Sequence, residues 1–121
     1  MKITLFLLLF AACKSTEELN FTKEQLFAKA KEGDPTLQFV LPKTMNDGVH
    51  CTDYAPGCLS GHTVKVKGLD LIAVEFMNED QAILGAKKVK GYYTRNWVLD
   101  DVSGEPILEK FAEEILEAKK P

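Results

Sequence analysis

Leu71, Ile72, Ala73, Val74 and Phe76 form a nearly unbroken apolar run, with Glu75 its one interruption. An exposed sheet face leaves an alternating pattern, whereas a run apolar on both faces belongs to a strand covered on both. Residues 71–76 therefore predict a central strand, and the rest of the chain has to supply its cover. With 121 residues the chain can bury one modest core. An apolar share of 45% and a charged share of 27% fit a globular domain and exclude wholesale disorder. Fifteen basic against 18 acidic residues exclude a predominantly basic nucleic-acid binder.

The flanking elements follow from local signals. Thr22 and Gln25 form a capping box, and Phe21 and Leu26 stand at hydrophobic-staple positions. They predict a first helix over 23–32, with Gly33 as a left-handed terminator and Pro35 beyond it. A short strand is expected over 36–41, ended by Pro42. Residues 45–61, rich in Asn, Asp, Gly and Pro, read as a loop. Val64 and Val66 alternate with polar residues and predict a strand over 63–67, with a turn at Gly68.

Asn78 with Gln81 opens a second helix whose buried stripe is Ala82, Ile83, Ala86 and Val89, ended by Gly91. Gly85 lowers its helix propensity and permits close packing on a sheet. Residues 93–99 read as a fourth strand. Glu105 and Pro106 open a last helix with Ile107, Leu108, Phe111, Ile115 and Leu116 on its apolar side. The fold class is α+β: one small domain, a sheet of about four mostly antiparallel strands, and about three helices packed on it. The second helix is long enough to join two strands of like direction by a crossover.

The N-terminus carries a different kind of signal. Lys2 precedes an apolar run from Ile3 to Phe10, followed by Ala11, Ala12 and Cys13. That is the layout of a secretory signal, and ten residues of helix reach about 15 Å, half a bilayer core. Leu9, Phe10, Ala11, Ala12 and Cys13 resemble the lipobox of bacterial lipoprotein precursors. The resemblance covers residues 1–13 alone. It implies a signal peptide over 1–12, a diacylglyceryl thioether on Cys13, a lipidated cysteine and polar tether over 13–20, and a globular domain over 21–121. A lipoprotein cysteine carries at least two acyl chains, enough for stable anchoring. The implied location is the bacterial cell envelope, facing the periplasm or the surface. By resemblance to enterobacterial sorting, Lys14 and Ser15 without an acidic residue imply the outer membrane rather than the inner.

Both histidines and both remaining cysteines lie within thirteen residues, at His50, Cys51, Cys58 and His62. Lipidation of Cys13 leaves one possible pair in an oxidising compartment, so a Cys51–Cys58 disulfide is expected. The competing reading is a zinc or copper site with ligands His50, Cys51, Cys58 and His62. Six residues between the cysteines are too many for a standard finger. A third reading makes Cys58 a thiol nucleophile assisted by His62.

Tyr93, Arg95 and Trp97 would share one face of a straight strand, a candidate binding surface for a peptide or glycan. The competing reading puts Tyr93 and Trp97 in the core. Asp100, Asp101 and Glu105 form a carboxylate cluster that fits the N-terminus of the last helix. No cofactor motif is present, and none is expected. These features together point to a small lipid-anchored envelope protein with a non-catalytic binding or structural role. The alternatives are an envelope metal-binding protein and a small hydrolase or thiol enzyme. The expected partners are the membrane, through the lipid, and an envelope protein or glycan.

Overall fold

A computed structural model describes residues 20–54 and 56–121. The signal segment, Cys13 and most of the tether lie outside the described residues. The elements run α1 (Lys23–Gly33), β1 (Gln38–Val40), two single-turn 3-10 segments (Met45–Asp47 and Cys51–Asp53), β2 (Cys58–Val66), β3 (Leu69–Phe76), α2 (Glu79–Val89), β4 (Tyr92–Thr94), β5 (Trp97–Asp100) and α3 (Pro106–Glu114). The class is α+β, with one sheet in the order β1-β2-β3-β5-β4 and every pairing antiparallel.

β3 is central, and its apolar run is divided between the two faces. Leu71 and Ala73 join a cluster with Leu26 and Phe27 of α1 and Leu108 and Phe111 of α3. Val74 and Phe76 join a second cluster with Ala82 and Ala86 of α2. The sheet is thus covered on both sides, as the pattern at residues 71–76 demands. β3 and β4 point the same way, joined through α2, with β5 inserted between them.

The helix starts follow their signals. Thr22 accepts from the Gln25 amide while the Gln25 side chain accepts from the Thr22 amide. Asn78 accepts from the Gln81 amide. The stops differ from expectation. Gly33 remains helical, and a Cβ there would lie 2.6 Å from Ile115 Cγ1, so the glycine makes room for packing. At the end of α2 it is Lys90 that turns left-handed, with φ 56°. Gly85 sits where a Cβ would lie 2.5 Å from Phe76 Cζ, so its missing side chain lets α2 close onto the sheet. The α2 stripe is Ala82, Gly85 and Ala86, with Ile83 and Val89 only half-buried. In α3, Ala112 is buried and Ile107 is exposed.

Two strand assignments also change. β2 begins at Cys58, so residues 58–61 belong to the sheet rather than to the loop; pairing with β3 as far as Phe76 holds them extended. The expected strand over 93–99 is a hairpin, because Arg95 and Asn96 form a turn with φ 51° at Arg95. The sheet therefore has five strands.

Candidate functional site

The two edges of the sheet differ. On the β4 edge the C-terminal segment returns, and Tyr93 and Lys119 exchange both backbone hydrogen bonds, at 2.9 and 2.8 Å. On the other edge β1 pairs with β2 only over Thr63, Val64 and Lys65. Pro42 follows and cannot extend a ladder. Residues 58–62 of β2 consequently have β3 on one side and, among the described residues, no strand on the other.

A groove of about 690 Å³ lies at this open edge, lined by Lys23, Phe39, Lys43, Asp47, Val49 and His62 among others. Its size is within the range of small-ligand sites. Large apolar side chains stand exposed along its rim: Leu41 is 81% exposed, with Phe39 and Val40 more than one third exposed. Apolar groups concentrated this way mark contact surfaces more than scattered ones do.

His62 forms part of this wall. Its ring lies 6.0 Å from Phe39, 6.1 Å from Phe27 and 6.3 Å from Trp97, centroid to centroid. Lys23 Nζ sits 5.1 Å above the Phe39 ring. Burial, and then the positive charge of Lys23, hold the His62 imidazole below its ordinary range. A histidine whose folded pKa is depressed disfavours folding as protons bind, so stability is full above about pH 6.5 and falls as pH drops below it. Urea midpoints at pH 7 and pH 5 are expected to show this decline, and His62→Gln should flatten it. An equal decline in the variant would assign the pH dependence to another group.

Cys51 and Cys58 form the disulfide, with Cα atoms 5.4 Å apart. It fastens the second 3-10 segment to the start of β2, next to Val49 and Gly61 on the groove wall. For an eight-residue loop, reduction is expected to cost about 2–3 kcal/mol, read as a lower urea midpoint with the sheet signal retained. With both sulfurs bonded, neither cysteine is a thiolate ligand or nucleophile. His50 is exposed and His62 packs among aromatic rings, so the four residues do not converge. Among the described residues no group of three or more His, Cys, Asp or Glu side chains is placed to hold a metal.

The aromatic segment is rearranged by its turn. In the hairpin Thr94 faces Trp97 and Tyr93 faces Val98, so Tyr93 and Trp97 lie on opposite faces of the sheet. Trp97 is 0% exposed, and its Nε1 donates to the Phe21 carbonyl at 3.0 Å. Arg95 stacks on the Phe21 ring, 3.9 Å from its centroid. Tyr93, Arg95 and Trp97 therefore form no common surface; the two-residue turn reverses the parity of a straight strand.

Near the groove, Ser60 Oγ donates to Glu75 at 3.3 Å and lies 3.4 Å from His62 Nε2. A hydrolytic triad needs the acid on the histidine and the histidine on the serine proton. Here the serine stands between acid and imidazole. At the carboxylate cluster, Asp100 accepts from the Tyr54 hydroxyl at 3.0 Å and from the Asp101 amide. Glu105 caps α3 by accepting from the Ile107 amide. Burial and the charge of Asp100 raise the Asp101 pKa. No family model matches the chain, and no curated protein or solved structure matches it either.

Proposed function

We propose that the chain is a lipid-anchored binding module of the bacterial cell envelope, with the open-edge groove as its site. The observation that carries this reading is the groove itself: apolar rim, unpaired strand edge and a wall held by a disulfide. The disulfide agrees with an oxidising compartment, where such bonds persist. The lipobox-like residues before Cys13 supply the address and the anchor. In the outer membrane, a domain tethered through residues 13–20 would meet partners within the envelope.

Two measurements test the proposal. Intact mass of membrane-extracted protein should show a chain beginning at an acylated Cys13; an unmodified Met1 terminus would remove the address. Deuterium uptake should then be compared between isolated envelopes and the full-length chain purified in detergent. Slower exchange in envelopes, confined to residues 39–49 and 61–63, supports the site. Equal uptake there would rule out the groove as the working surface.

A further inference from the structure

We infer that the groove takes an extended acidic peptide, which adds a strand to the open edge of β2, lays an apolar side chain on Val49, and directs carboxylates at Lys23 and Lys43. This rests on the groove being the binding site and names its occupant.

The backbone argument comes first. Each strand edge presents N–H and C=O groups that need partners. β1 stops at Val40, opposite Thr63, and the disulfide ties down Cys58, so residues 59–62 offer about 13 Å of unextended edge. The opposite edge of the sheet shows how this fold treats such a gap: Lys119 is laid against Tyr93 to close it. A segment in strand conformation is the occupant that satisfies backbone groups in this way, with pockets for alternate side chains.

Charge then selects among segments. The chain carries 15 basic and 18 acidic residues, yet the groove lining holds Lys23 and Lys43 against the single carboxylate of Asp47. Among the described residues neither lysine is in an ion pair; those formed are Lys29 with Glu117 and Lys65 with Asp70. A positive groove on an acidic protein favours carboxylates at the rim of an apolar floor. A second copy seated by the same face would bring the two pairs of lysines toward one another across the dyad, which disfavours self-pairing.

The test uses the isotope-labelled full-length chain in detergent and three acetylated six-residue peptides. One alternates valine and glutamate. One replaces glutamate with lysine. One keeps valine and glutamate but is N-methylated at every second residue, which blocks strand pairing. The first should give saturable amide shifts within residues 59–62, strongest at Gly61 and His62. The lysine peptide should bind about tenfold more weakly, and Lys23→Glu with Lys43→Glu should reverse that preference. Both substitutions are at exposed positions, and circular dichroism verifies that the fold is kept.

The N-methylated peptide should not bind. Equal binding of the acidic and basic peptides, or indifference to N-methylation, would overturn the inference. So would concentration-dependent self-association at these amides without peptide, which would make a second copy the occupant. If no peptide binds while the groove is still protected in envelopes, the site stands and this occupant is wrong. If that protection is missing as well, both fall.

Discussion

Trp97→Ala is expected to lower the stability of the domain by about 3–5 kcal/mol, a loss on the scale of the whole folding free energy of a small domain. The indole is fully buried on the face covered by α1 and α3, and its ring centroid lies 6.0 Å from that of Phe27. Truncation leaves a cavity beside Phe27 of α1 and His62 of β2. It also strips the Phe21 carbonyl of its donor. Urea unfolding of the two proteins decides the matter. A midpoint shift near zero would mean that the ring is not a core residue.

Asn96→Ala is expected to be the second most damaging change, at about 2–4 kcal/mol, because it strands two buried backbone groups. Asn96 is 3% exposed. Its Oδ1 accepts from the Phe21 amide at 2.7 Å, and its Nδ2 donates to the Phe76 carbonyl at 3.2 Å. Asn96→Asp separates the two roles: the acceptor for Phe21 is kept and the donor to Phe76 is lost. A buried carboxylate oxygen then faces the Phe76 carbonyl, acceptor against acceptor, so the urea midpoint of this variant should fall at least as far as that of the alanine variant. If alanine costs no more than a surface substitution, the network does not bear on stability.

The features legible in the sequence were those whose cause is local. Capping at Thr22 and Asn78 is decided within three residues, so the starts of α1 and α2 could be read directly. The two-faced run at residues 71–76 announced β3 because burial on both faces leaves its own composition. The Cys51–Cys58 bond followed from counting cysteines against the compartment that the lipobox resemblance implies.

Other features depend on partners far along the chain. Residues 58–61 contain Ser60 and Gly61 and look like loop; they are strand because β3 pairs with them. The turn at Arg95 and Asn96 has neither glycine nor proline, and a left-handed arginine is not a signal a sequence displays. Hence the hairpin, and with it the separation of Tyr93 from Trp97, was hidden. The groove draws on Lys23, on residues 39–49 and on residues 61–63, three segments brought together only by the fold. His62 stood out by its neighbouring cysteines, which was the wrong reason; its place among aromatic rings had no local signature.

The tie from Phe21 to the β4–β5 hairpin has a consequence for the order of events during synthesis. Phe21 is bonded to Asn96 and Trp97, 75 and 76 residues away. A chain emerging from its N-terminus cannot make that tie until the hairpin has also emerged. Helix α1 can meet β2 and β3 earlier, but its leading residue is not fastened until almost the last element is made, and contacts of such long span close slowly. A chain delayed in this way stays open while it is being made, its core on the α1 side incomplete until the hairpin arrives.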